Sequence, residues 1–505
     1  MSAISKLAGQ TGIYGVSSIV GRFLNYLLVP LYTAKLDPSA YGVVTEFYAY
    51  VAVLQVMLTY GMETGYFRFS QKNPDSNTVF STVLTSLLST SSLFILIIFI
   101  FSKSISNSIG YEDNNDYVNL FALILSIDAV SAIFFAQLRR LNKARKFMIF
   151  KLLNIGLNIF FNLFFILLCP FLQSKGFSFI SFIYHSDYVV GYIFVSNLIA
   201  SAVVLLLFLP DFFKIKFQFD FKLWKQILIY SFPLLITGLT GAVNDMADKI
   251  LIKYWTVAPS DVADANDYIM YNVGIYGANA KLSVFMMLFV QAFRYAAEPF
   301  FFSFKKAEEL LKVFADVMKY YIVFAFLMFL FIMLNIDIFK HFISRNYFEG
   351  LNVVFPLFLG RILVGVFFVL SFWYKLNDLT RYGIFIFLAG AVITIGLNYI
   401  LIPKVGYIGA AWTNFFAYLL MVLISFVWSR KYMKVKYQYG RIFLYIIFAL
   451  TLYFVSTQIN LDSVLVSLFI KNIFLVLFII LVVKLEKIRL SDLKKLLIRK
   501  KSNES

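Results

Sequence analysis

Fourteen stretches of this chain are each apolar for roughly 20 residues, the length a helix needs to cross a bilayer. They follow one another from end to end with only short polar clusters between them. Their expected limits are 10–34, 41–67, 79–101, 117–138, 148–169, 188–210, 226–252, 269–293, 317–335, 351–374, 382–402, 407–428, 441–457 and 463–483. Only 14% of the residues are charged and 61% are apolar, against about a quarter and about half in a soluble chain. The expected fold is an all-α integral membrane bundle of about 14 transmembrane helices with no soluble domain. A net charge of +18 would suit a nucleic-acid partner. The basic residues sit in short connections between apolar runs, however, so no nucleic acid is expected.

Those basic residues are unevenly shared between the two sides, and the bias predicts orientation. The even-numbered connections, with Lys6 and the tail after Lys484, hold 31 Lys and Arg, in clusters such as Arg139-Arg140…Lys143…Arg145-Lys146 and Arg430-Lys431…Lys434…Lys436. The odd-numbered connections hold seven: Lys35, Lys103, Lys175, Lys253, Lys340, Arg345 and Lys404. The Lys/Arg-rich side is expected to be cytoplasmic, with both chain ends there. No removable signal peptide is read at the N-terminus. Cys169 is the one cysteine, so no intramolecular disulfide is expected. His185 and His341 lack partners at ligand spacing, so no metal site is expected.

Parts of the first half recur in the second. Ala40-Tyr41-Gly42…Tyr60-Gly61-Met62-Glu63 flanks span 2, and Ile275-Tyr276-Gly277…Tyr295-Ala296-Ala297-Glu298 flanks span 8. Val190-Gly191-Tyr192-Ile193 and Val405-Gly406-Tyr407-Ile408 open spans 6 and 12, followed by Asn197 and Asn414. Leu141-Asn142 and Leu376-Asn377 join spans 4–5 and 10–11, and Ile155-Gly156-Leu157-Asn158 matches Ile395-Gly396-Leu397-Asn398. A unit of six helices enters twice from the same side, so the repeat is parallel. It predicts an N-terminal six-helix lobe over 1–215 and a second over 216–436. Two further helices over 437–485 and a basic cytoplasmic tail over 486–505 follow. Two such lobes around a midplane site are the architecture of an alternating-access transporter.

A charge at a helix centre costs roughly 2.5–3.5 kcal/mol even on the lenient insertion scale. Arg22, Glu46, Asp128, Asp245, Asp248, Lys249, Lys281, Arg361 and Lys471 all fall within spans. Facing lipid together they would cost about 25 kcal/mol, more than a typical folding stability. Several must therefore share an internal space. Arg22, Lys281 and Arg361 are near mid-span and are the candidate cations for an anionic substrate. Glu46, Asp128, Asp245, Asp248 and Lys249 are candidates for pairing or for coupling to H+ or Na+; Asp245 and Lys249 lie four apart on span 7. Glu46 and Lys281 hold the same repeat position with opposite charge. Each also has a purely structural reading, as an internal ion pair that fixes helix packing.

No G-x-x-x-x-G-K-[ST] loop and no catalytic arrangement of carboxylates, Ser-His or metal ligands is present. No cofactor is expected. Large outer loops of the kind membrane glycosyltransferases and polymerases use are missing too, which leaves secondary transport rather than an enzyme.

Gly396-Leu397-Asn398-Tyr399…Ile402-Pro403…Gly406-Tyr407-Ile408-Gly409-Ala410-Ala411…Thr413 resembles the late-helix signature of polysaccharide-exporting flippases. These are the O-antigen and capsule branch of the multidrug/oligosaccharidyl-lipid/polysaccharide (MOP) superfamily. Leu36-Asp37-Pro38…Tyr41-Gly42 is similar to that family as well. The resemblance implies a V-shaped bundle that moves an undecaprenyl-diphosphate-linked oligosaccharide (an O-antigen, capsule or exopolysaccharide unit) across a bacterial inner membrane. It implies as partners this polyprenyl-linked glycan, membrane lipids, and the polymerase and glycosyltransferases that act on it. It places basic cavity residues at Arg22 and Lys281. Peptidoglycan-precursor flippases also have a basic residue on span 2, where this chain offers Glu46 instead, a departure from that branch. The rival readings are a cation-coupled multidrug exporter of the same fold, which would want acidic cavity walls, and a membrane glycosyltransferase or polymerase.

Overall fold

Short polar caps set where some of the helices begin. The Asp37 carboxylate accepts the Ala40 N–H at 2.8 Å ahead of Pro38, and Asp220 accepts the Leu223 N–H at 3.0 Å. Each satisfies a donor that the first helical turn leaves open. In the computed structural model, residues 20–21, 23–72, 75–302, 307–459 and 463–487 are described, and none of them forms a β-strand.

Behind α1, whose described part ends as the helix Leu28–Lys35, come α2 (Pro38–Lys72), α3 (Ser76–Ser108), α4 (Asn115–Arg140), α5 (Ala144–Ser174), α6 (Ser186–Leu207) and α7 (Phe221–Trp255). α8 is a bent pair, Ala265–Leu282 and Val284–Phe302. Then follow α9 (Glu309–Leu334), α10 (Arg345–Leu376), α11 (Arg381–Val405), α12 (Tyr407–Tyr432), α13 (Tyr439–Thr457) and α14 (Leu465–Leu485). Twelve of these are long and apolar enough to span a membrane, and the bent pair makes a thirteenth. They match the expected spans 2–14 one for one. The chain is an all-helical, multi-pass membrane protein.

Some spans are interrupted where the hydrophobic pattern gave no sign. α2 stops at Thr59 and restarts at Met62, because Tyr60 and Gly61 take left-handed conformations with φ of 32° and 72°. Glycine bears that conformation without the Cβ penalty. α8 breaks at Ser283 with a 46° bend.

Contacts divide the chain into two compact units. The first comprises Met1–Lys281, Ile343–Val353 and Thr380–Ala417. In it α3 packs on α4, and α7 packs on α2 and α11. α2 and the first part of α8 cross so closely that a Cβ on Gly42 would strike the Met270 carbonyl, and one on Gly274 the Pro38 carbonyl. Only small residues let two helix backbones approach this far. The second unit comprises Leu282–Phe342, Val354–Leu379 and Tyr418–Ser505. There α9 packs on α10, α13 and α14. Polar clamps hold it at two levels. Asn335 and Asn472 exchange amide hydrogen bonds of 2.8 and 3.1 Å, with Lys471 3.4 Å from Asp337 nearby. At the other level the buried Glu486 accepts from Lys319 at 2.6 Å, Tyr445 at 2.7 Å and Arg441 at 3.1 Å. Burial pushes the Glu486 carboxyl up, but these donors and charges outweigh it and hold the group below its ordinary range.

Candidate functional site

Two clusters of charge lie inside the spans of the first unit, and they are built differently. The first joins α2, the α3–α4 turn and α7. Lys253 Nζ donates to Glu46 Oε2 at 2.9 Å and to the Ile109 carbonyl at 2.5 Å, and it sits 4.1 Å from the centre of the Tyr111 ring. The Tyr111 hydroxyl donates to the same Glu46 oxygen. The Glu46 side chain is 0% exposed and that of Lys253 8%, so this is a desolvated ion pair, in which Glu46 Oε1 has no hydrogen-bond partner among the described residues. Around it the Lys/Arg-poor ends of the helices are bolted together. Tyr347 donates to the Leu36 carbonyl at 2.9 Å, the Ser344 N–H to Thr33 Oγ1 at 3.2 Å, and Ser39 to the Asp267 carbonyl at 3.3 Å.

The second cluster lies on α7 and the first part of α8. Asp248, nearly fully buried, accepts from Lys249 Nζ at 2.9 Å and from the Tyr276 hydroxyl. Lys249 also donates to the Asp245 carbonyl at 3.1 Å. Lys281 lies within electrostatic reach of Lys249 and makes no ion pair with a described carboxylate. It sits two residues before the break at Ser283, where the last carbonyls of a helix lose their intrahelical partners. The Tyr26 hydroxyl donates to the Lys281 carbonyl at 2.7 Å and satisfies one of them. Two lysines in neighbouring apolar spans, one of them without an ion pair to a described carboxylate, make a place that attracts an anion.

Two further polar groups line helix contacts in this unit. Asp128 on α4 faces Ser201 on α6 and Lys151 on α5, and Asn197 donates to the Tyr48 hydroxyl at 3.3 Å. In the second half Thr394 donates to Asn244 Oδ1 at 3.1 Å and Asn414 to the Asn244 carbonyl at 3.3 Å. One turn along, the buried Asn398 amide has no hydrogen-bond partner among the described residues.

The expected site residues are thus distributed as follows. Glu46, Asp128, Asp245, Asp248, Lys249 and Lys281 lie in the first unit, and Lys249 and Lys281 come together there. Arg361 lies in the second unit, on α10. Arg22 lies outside the described residues. Sequence reasoning missed Lys253, Tyr111, Tyr276 and Lys151. Lys253 passed for a loop residue because the apolar run ends at 252, whereas the helix continues to Trp255. Its spacing of four from Lys249 was the available signal. Among the described residues no cluster of His, Cys, Asp or Glu could hold a metal.

The fold is shared with solved transporters. A lipid II flippase, MurJ, in an inward closed conformation superposes with a TM-score of 0.68 over 93% of this chain and 98% of that one, at 16% identity. An inward-facing multidrug-resistance MATE transporter of the MOP superfamily gives 0.60, covering 81% of this chain and 94% of that one at 15% identity. A MOP transporter from Pyrococcus furiosus, whose binding pocket is described as having reverse polarity, gives 0.53 over 84% and 95% at 14% identity. No curated protein gives a significant sequence match. The chain shares the fold of these transporters. Residues 7–305, more than half of the chain, match the model of the polysaccharide biosynthesis protein family, and the chain belongs to that family.

Proposed function

We propose that this protein is a flippase that carries a polyprenyl-diphosphate-linked oligosaccharide across the bacterial inner membrane by alternating access, with both termini in the cytoplasm. The observation that carries this reading is Lys281 on α8, which lies within electrostatic reach of Lys249 on α7 and makes no ion pair with a described carboxylate. A diphosphate brings the negative charge this pair lacks, and each close contact in a partly desolvated cavity is worth a few kcal/mol. Arg22 and Arg361 are proposed as further substrate-binding cations. The six-helix lobes 1–215 and 216–436 are the moving bodies, with 437–485 and the basic tail 486–505 outside the symmetry. The bolted Lys/Arg-poor ends, with the Glu46–Lys253 pair at their centre, are the seal that must part for outward release. Asp128, Asp245 and Asp248 are the groups assigned to coupling with H+ or Na+. The partners are the lipid-linked glycan, its membrane, and the glycosyltransferases and polymerase that make and extend it. The O-antigen or lipopolysaccharide class is one such glycan.

A strain lacking the gene and carrying the Lys249→Gln/Lys281→Gln variant should accumulate the lipid-linked saccharide on the cytoplasmic leaflet and lose surface glycan, with drug tolerance unchanged. Normal surface glycan with that variant would refute the site. Altered drug tolerance with normal glycan would favour a multidrug exporter instead.

A further inference from the structure

α5 and α11 hold the same place in the two halves, as do α6 and α12, but the connections between them differ. α11 ends at Val405 and α12 starts at Tyr407, leaving Gly406 alone between them. α5 ends at Ser174 and α6 starts at Ser186. The second half shows that one residue suffices to close this connection, so the extra length in the first half is not needed to join the helices.

What the extra length carries is aromatic. Phe177, Phe179, Phe182 and Ile183 are all exposed, Phe182 at 87%. The segment is nevertheless firmly held. The 3-10 turn Ser178–Phe182 points Ile180 inward, 1% exposed, onto Phe165, Cys169, Tyr184 and Tyr192. The Tyr192 hydroxyl accepts the His185 N–H at 2.8 Å and donates to the Ile183 carbonyl at 3.1 Å. The outward rings are therefore displayed by a fixed backbone, and water is a poor solvent for such a row.

The neighbouring helix identifies the solvent. Phe160, Leu163, Leu167, Leu168 and Phe171 form the exposed apolar stripe of α5, the face a spanning helix turns to lipid, and that stripe runs directly into Phe177. Lys175, its Nζ 5.7 Å from the Phe171 ring, marks the height at which charge begins, as a lysine does at a headgroup boundary. We propose that residues 175–185 form an aromatic lip that inserts into the headgroup–acyl boundary of the leaflet on the Lys/Arg-poor side. Its partner is a phospholipid surface, bound by the Phe rings with Lys175 toward the lipid phosphates.

The test uses the full chain with a single exposed cysteine, Phe182→Cys or, as a second position, Phe179→Cys. Cys169 is buried and should take no label. The variant is labelled with bimane and placed in phosphatidylcholine/phosphatidylglycerol vesicles, with Asp261→Cys as the water-exposed control. Acyl-brominated phosphatidylcholine should reduce emission at 182 and 179 roughly twofold, and aqueous iodide should quench those labels far less than the one at 261. Iodide quenching equal to the control, with no effect of brominated lipid, overturns the proposal. So does a label shielded in native membranes but not in vesicles, since a protein would then be what covers the lip.

Discussion

α2 and the first part of α8 occupy the same place in the two halves and cross at Gly42 and Gly274, yet each treats the charge in its shared slot in the opposite way. On α2 the charge is Glu46. It is sealed from solvent and matched by Lys253 and Tyr111, both brought from elsewhere in the chain. On α8 it is Lys281, which meets another cation and no described carboxylate. The backbones diverge too: α2 breaks at Tyr60–Gly61 and α8 at Ser283. A repeat preserves what both copies need, here the small residues at the crossing. It is free to differ where one copy serves structure and the other serves a ligand. On this view Glu46 is a fastening and Lys281 a binding group.

The largest effect is expected at the crossing itself. Gly274→Leu drives a side chain into the α2 backbone, beyond the ~1–3 kcal/mol of ordinary overpacking, and should leave little monodisperse protein on size-exclusion chromatography. A well-behaved variant would mean that the two helices do not need to touch.

Next comes the fastening. Glu46→Gln or Lys253→Met alone strands a buried charge and should cost about 3–5 kcal/mol, whereas the double variant should recover most of the loss. Thermal melting in detergent reads all three, and single variants that melt like wild type would remove Glu46 from the structural side of the comparison.

Lys281→Met sharpens the contrast from the other helix. Relieving the repulsion with Lys249 should raise stability by about 1 kcal/mol while surface glycan is lost. If the variant instead melts as early as Glu46→Gln, the two charges do the same job and the distinction fails.

A smaller change is expected at Gly61, where alanine must adopt the left-handed φ and should cost about 1 kcal/mol by the same melting assay. Smallest is the acid response of Glu486, an ion cluster at a span end that serves as a baseline. Its carboxyl is held below the ordinary value near 4.5. Its contribution is therefore complete above that pH and is lost as pH falls through the lower folded value. The melting difference between wild type and Glu486→Gln should shrink between pH 6 and 4 by well under the effects above. A constant difference would show that the cluster acts without its charge.

That the chain is a succession of membrane-spanning helices could be read directly, because hydrocarbon imposes one simple requirement on every residue that crosses it: about 20 apolar positions in a row. That requirement is local, so composition along the chain decides it. The charges inside the spans were equally visible, and their cost in lipid already required that they turn inward. Their partners were not visible. The end of the apolar run at 252 leaves Lys253 in a loop, and spacing pairs Lys249 with Asp245, while in the structure the side-chain ion pair of Lys249 is with Asp248, whose other oxygen is held by Tyr276. Nor could the breaks at Gly61 and Ser283 be foreseen, since hydropathy continues through both. Which charge meets which is set by helices separated by up to 207 residues in the chain. A pairing energy of that range depends on distance in space and on the dielectric around it, quantities that exist only once the helices have packed.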